Sequence, residues 1–82
     1  MTGVRVEREQ RALQELLREL RLEAGLRQVD VAKAMNFPQS MVSKYEVGER
    51  RLDIPEVRAL CKMFGVTLSQ FVEKLDSRLR DE

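Results

Sequence analysis

The chain has 82 residues, room for one small domain and one hydrophobic core, a size that excludes most enzymes. Hydrophobic residues make up 43% and charged residues 35%, with 2 Pro, 4 Gly and few aromatics (Phe37, Tyr45, Phe64 and Phe71), a composition that suits a compact all-α domain better than a sheet or a disordered tail. Lys and Arg number 15 against 14 Asp and Glu, a net charge of +1 that by itself argues against a strongly basic nucleic-acid binder.

Ala12, Leu13, Leu16, Leu17, Leu20 and Ala24 recur at three- and four-residue steps, with Arg11, Glu15, Arg18, Glu19 and Glu23 between them. This spacing predicts a long amphipathic helix ending at Gly25. Residues 4–10 extend it with thin apolar content, so fraying is expected there. A second, short helix over residues 28–35 carries Val31, Ala32 and Met35 on one face and stops at Asn36, which tolerates positive φ. Pro38 turns Phe37 out of the helical region and starts a third helix at Pro38 or Gln39, which Gly48 ends. Val42, Tyr45 and Glu46 fall on one side of it, and Gln39, Ser40, Ser43 and Lys44 on the other.

A polar, basic linker follows, Glu49-Arg50-Arg51-Leu52. Asp53 with Glu56 three residues on, and Pro55 in the first turn, is a capping box for a fourth helix through Phe64, with Val57, Leu60, Cys61 and Phe64 inward. Thr67 with Gln70 is a second box, opening a last helix with Leu68, Phe71, Val72, Leu75 and Leu79 apolar. Five helices and no strand signal make a single domain over residues 1–82, with a core of about 12–75, an N-terminal helical extension at 4–11 and a C-terminal tail at 76–82. Helix five repeats apolar residues beyond what a five-helix core is expected to cover, so Phe71, Leu75 and Leu79 are assigned to a dimer interface.

Histidine is absent and Cys61 stands alone, so no zinc site, internal disulfide or activated thiol can be assembled. No metal, cofactor or enzymatic activity is expected. Cys61 reads as a small core residue. No stretch approaches the roughly 20 apolar residues of a membrane span, and residues 1–10 are unlike a secretory signal, which makes the cytoplasm the expected location.

The segment Leu26 to Gly48, LRQVDVAKAMNFPQSMVSKYEVG, resembles the helix-turn-helix of the Cro and phage-repressor type, the XRE family. Gln28, Ala32, Asn36, Val42, Glu46 and Gly48 occupy the family's pattern positions, and the likeness runs over residues 17–75 and back to Arg21. It implies a lambda-repressor-like fold of five helices with the helix-turn-helix at helices two and three. It also implies a transcriptional regulator, a repressor or autoregulator, that binds double-stranded DNA as a homodimer on a palindromic operator.

In such a fold the third helix enters a major groove about 12 Å wide. The resemblance places Gln39, Ser40 and Lys44 at base-contacting positions, with Ser43 and Met41 able to join. Gln pairs with adenine, Lys with guanine, and Met41 meets a thymine methyl. Gln28 matches the family's phosphate-gripping position, and Arg27, Arg50 and Arg51 are phosphate candidates by charge and placement. Arg21 and Glu46 are implied to form an ion pair that orients the reading helix without touching a base.

Two features depart from the pattern. Pro38 and Arg27 stand where the family commonly has a hydroxyl residue, so a side-chain cap is lost at each helix start. Near-neutral charge and the loss at Pro38 keep a second reading open, a protein-interaction module of the antitoxin or adaptor kind on the same scaffold. Charge by region is almost flat, with 4 basic against 3 acidic residues over 28–52 and 5 against 6 over 53–82. The face each charge occupies therefore matters more than the total, and the charge balance is compatible with DNA binding that leans on dimerisation and the reading helix.

Overall fold

A computed structural model describes residues 6–81, so residues 4 and 5 of the expected N-terminal extension and residue 82 of the expected tail lie outside it. Within that range are five α-helices: α1 (Val6–Glu23), α2 (Gln28–Met35), α3 (Gln39–Val47), α4 (Ile54–Met63) and α5 (Leu68–Arg80). The described residues contain no strand.

The helix boundaries follow from local chemistry. Asp53 accepts the Glu56 N–H at 2.9 Å while Glu56 accepts the Asp53 N–H at 2.9 Å, and Thr67 and Gln70 exchange the same pair of bonds at 3.0 and 2.9 Å. Both expected capping boxes are thus present and start α4 and α5. At α2 the start is different. Arg27 has no acceptor in its side chain, but its backbone N–H donates to Asp30 at 2.8 Å, so one half of a capping box replaces the missing hydroxyl. Pro38 is the residue just before α3, extended at ψ 146, and offers no side-chain cap.

Asn36 takes the left-handed conformation, φ 57, and lets the Phe37 N–H reach back to the Ala32 carbonyl at 2.8 Å. A turn of only three residues therefore joins α2 to α3. Gly48, at φ 88, ends α3, and the Glu49 N–H closes on the Lys44 carbonyl at 2.8 Å. A Cβ at Gly48 would lie 2.8 Å from Gln14 Nε2, so the end of α3 meets the tip of the Gln14 side chain of α1.

The core joins Leu16, Leu17 and Leu20 of α1, Val31 and Ala32 of α2, Val42 and Tyr45 of α3, Val57, Leu60 and Cys61 of α4, and Phe71 and Leu75 of α5. α2 packs on α3 and α4, α1 on α3 and α5, and α4 on α5. Ala32, buried beside Val31, gives α2 a small side chain in this core. Cys61 is fully buried, and desolvation raises its thiol pKa, the behaviour of a packing residue and not of a reactive thiolate.

Three sequence expectations are corrected. Ala24 lies beyond α1 and is exposed, and Val72 faces solvent at 45% exposure although it was placed on the apolar stripe. Phe71 and Leu75 do not form an unpaired strip: they are 2% and 7% exposed inside the protomer, and Leu79 packs partly buried beside them. The reason is that α5 packs on two helices, α1 and α4. α1 is also tied to the end of α5, where Arg8 donates to the Leu79 carbonyl at 2.6 Å and Arg78 pairs with Glu19.

Candidate nucleic-acid interface

α3 is held from beneath by Val42 and Tyr45, 0% and 1% exposed, which turns its other face to solvent. Gln39, Ser40 and Lys44 are exposed there, while Ser43 and Met41 are half-buried at the edge. The four polar side chains expected to read bases are therefore brought onto one side of one short helix. Lys44 makes no ion pair with any described residue and is available as a donor on that side.

The inner end of α3 is fixed by charge. Arg21 Nε donates to Glu46 Oε2 at 2.6 Å and Nη2 to Oε1 at 3.1 Å, and Nη1 donates to the Leu26 carbonyl at 2.8 Å. The side chains are 8% and 3% exposed. A bidentate guanidinium–carboxylate pair of this kind constrains rotation as well as distance. The ion pair that the family resemblance implied is thus present, and it joins α1 to the last turn of α3.

Gln28 extends that cluster: its Nε2 donates to Glu46 Oε1 at 3.0 Å. One carboxylate thereby gathers side chains from α1 and from the start of α2. This link was not readable from sequence, because a residue 18 positions away gives no local signal of the contact.

The three arginines expected at phosphates are not equivalent. The Arg27 side chain is 75% exposed but grips Asp30 through Nε at 3.1 Å and Nη2 at 2.9 Å. Asp30 is held at a pKa of about 2, chiefly by the bond from the Arg27 guanidinium and then by the Arg27 backbone N–H, and the Arg27 pKa rises in turn. Arg50 is engaged with Glu56, at 3.0 Å through Nη2 and 3.4 Å through Nη1, and its Cζ lies 6.0 Å from the centre of the Phe37 ring. Arg51 is exposed and makes no side-chain bond to any described residue. Of the three linker and cap arginines, then, Arg51 alone stands free among the described residues.

Phe37 is half-buried under this arginine, between the core-plug and surface roles that its position in the turn allows. Among the described residues no group of acids, Cys or His could hold a metal ion, and no helix is long and apolar enough to cross a membrane.

Residues 17–71 match a family described as Helix-turn-helix. The chain is similar to the HTH-type transcriptional regulator PrpR of Mycobacterium tuberculosis (strain ATCC 25618 / H37Rv), 36% identical over 63 residues, which is 77% of this chain and 13% of that protein's length. This chain therefore matches only a small part of that relative. Among solved structures it is similar to an XRE-family like protein from Pseudomonas syringae pv. tomato str. DC3000, with a TM-score of 0.81 and 38% identity over 88% of both chains.

Proposed function

Because this chain belongs to the XRE-type helix-turn-helix family, a class of DNA-binding regulators and not of enzymes, we propose that α3 enters the major groove of a specific operator and reads it. The observation that carries this is the geometry of α3. Its inner side is locked by Val42, Tyr45 and the Glu46 cluster, while Gln39, Ser40 and Lys44 stand exposed on the outer side. A helix that is rigid on one face and hydrogen-bonding on the other is what direct readout requires.

In this reading Gln39, Ser40, Ser43 and Lys44 contact bases, and Gln28 and Arg51 contact phosphate. Gln28 can do so without leaving Glu46, since its amide carries a second N–H. Arg27 joins them only by sharing its guanidinium with Asp30. The protein acts in the cytoplasm as a homodimer, each copy taking one half of a palindromic operator with half-sites about one helical turn apart, and it represses or autoregulates transcription. The similarity to a transcriptional regulator supports the regulatory role.

The test is selection of binding sites from a randomised duplex pool with the wild-type chain, followed by Lys44→Ala. Enrichment of a palindromic sequence that Lys44→Ala fails to discriminate supports the reading. Absence of any enriched duplex, or unchanged discrimination by the variant, rejects it.

A second reading, a protein-interaction module on the same scaffold, is favoured by one observation: Arg27 and Arg50 spend their guanidinium groups on Asp30 and Glu56, which leaves few free cations beside α3. Duplex affinity separates the two. Phosphate contacts make affinity fall steeply with salt, whereas the module predicts no salt-dependent duplex binding.

A further inference from the structure

Arg50 is the one linker side chain with partners on both sides of the reading helix. Phe37 precedes the first residue of α3 by two positions, and Arg50 follows its last residue by three. The Arg50 guanidinium lies 6.0 Å from the Phe37 ring centre, at the outer limit of a cation–π contact, so the two ends of α3 meet through this pair. The same group donates to the Arg51 carbonyl at 2.9 Å and reaches Glu56 through Nη2 at 3.0 Å and Nη1 at 3.4 Å.

Glu56 is itself immobilised, because its Oε1 accepts the Asp53 N–H at 2.9 Å. The Arg50 bond is the first cause of the lowered Glu56 pKa, which keeps the carboxylate ionised. The Nη1–Nη2 edge with which this guanidinium would grip a phosphate end-on is therefore already filled by a carboxylate of the same geometry. A phosphate approaching this arginine would also meet the negative charge of Glu56.

We propose that Arg50 is a positioning residue and not a phosphate contact: it ties the α2–α3 turn, the linker after α3 and the first turn of α4 into one unit, and so sets how α3 is presented to DNA. This rests on the DNA-binding reading above. Arg51, exposed and free of such bonds, is the linker cation that meets the backbone.

The two roles differ in salt dependence. Each phosphate contact contributes about 0.9 to the slope of log affinity against log salt, whereas a positioning residue contributes nothing to it. Anisotropy titrations of the wild-type chain, Arg50→Met, Glu56→Gln and Arg51→Met use two probes, the duplex enriched from a randomised pool and a scrambled duplex of the same composition.

Arg50→Met and Glu56→Gln are expected to weaken the enriched duplex by about tenfold, leave the scrambled one within about twofold, and keep the wild-type salt slope. Arg51→Met is expected to weaken both duplexes and to lower the slope by about 0.9. Glu56→Gln is the sharpest arm. Removing an acid beside DNA tightens binding on Coulomb grounds alone, so a loss of affinity reports the lost anchor for Arg50.

A slope lowered by Arg50→Met, or a Glu56→Gln variant that binds the enriched duplex as well as or better than wild type, overturns the proposal. If Arg50→Met does not fold by circular dichroism, Glu56→Gln decides alone, since glutamine still accepts the Asp53 N–H. Failure of the wild-type chain to enrich any duplex removes the DNA-binding reading and this proposal with it, an outcome distinct from failure of the Arg50 variants alone.

Discussion

The Arg21 guanidinium of α1 and the Glu46 carboxylate of α3 meet edge to edge, at 2.6 and 3.1 Å, with both side chains almost wholly buried. They are 25 residues apart in sequence, and the contact fixes the last turn of the reading helix to the longest helix of the core. Gln28 adds a third donor to the same carboxylate.

Removing one partner of such a pair leaves an uncompensated buried charge, so Glu46→Ala is expected to cost about 3–5 kcal/mol of stability. The double variant Arg21→Met with Glu46→Leu removes both charges and should recover most of that loss. Urea unfolding of the two variants checks this, and a double variant as unstable as Glu46→Ala would show that the ion pair is not the source of the loss.

The Lys44 side chain is exposed on the outer side of α3 and makes no ion pair with any described residue. Lys44→Ala should therefore leave stability within about 0.5 kcal/mol while costing about 1–3 kcal/mol of discrimination between the enriched duplex and a single-base variant. Thermal unfolding and competition binding measured on the same preparation separate the two effects.

Asp30 gives a pH signature. Its folded-state pKa of about 2 lies below the ordinary value of 3.8, so its contribution to stability is present above about pH 4 and is lost as pH falls toward 2. Asp30→Asn should thus lower Tm at neutral pH, with the difference from wild type closing near pH 2. A difference that persists unchanged at pH 2 would contradict the Arg27–Asp30 origin of the effect.

Gly48 combines φ 88 with a Cβ position only 2.8 Å from Gln14 Nε2. Gly48→Ala is expected to destabilise by about 1 kcal/mol, chiefly from the left-handed backbone, because the new Cβ meets only the end of the flexible Gln14 side chain. Adding Gln14→Ala should therefore rescue little of the loss, which chemical denaturation of the single and double variants checks.

On α5, Phe71 is a core residue and Val72 an exposed one. Phe71→Ala is expected to cost about 3–5 kcal/mol whatever the protein concentration, because the loss is inside one protomer. Val72→Glu should leave unfolding unchanged, and sedimentation of this variant asks whether α5 takes part in association at all. A Phe71→Ala loss that shrinks with rising concentration would restore the helix to a dimer contact.

The helices were legible because their ends are written locally. Asp53 with Glu56, Thr67 with Gln70, and Asn36 and Gly48 at left-handed positions act over three or four residues, so reading them needs no knowledge of the rest of the chain. The outward stripe on α3 was legible for the same reason, since helical periodicity alone separates Lys44 from Tyr45. Ala24 and Val72 were misplaced because periodicity says which residues share a face but not how far a neighbour covers that face.

What the sequence determined by itself was therefore the set of helices, the tight turn between the second and third, and the polar face that the third presents. Tertiary structure alone decided which charges are available for DNA and which apolar residues are already used. A guanidinium binds whichever acceptor the fold brings within about 3 Å, and no periodicity encodes that choice. Arg50 and Arg51 read alike along the chain, yet the fold gives Glu56 to the first and leaves the second free among the described residues, whereas the pairing of Arg27 with Asp30 spans three residues and is local. The stripe on α5 followed the same rule, because the packing of α1 and α4 on it buries Phe71 and Leu75 within a single protomer.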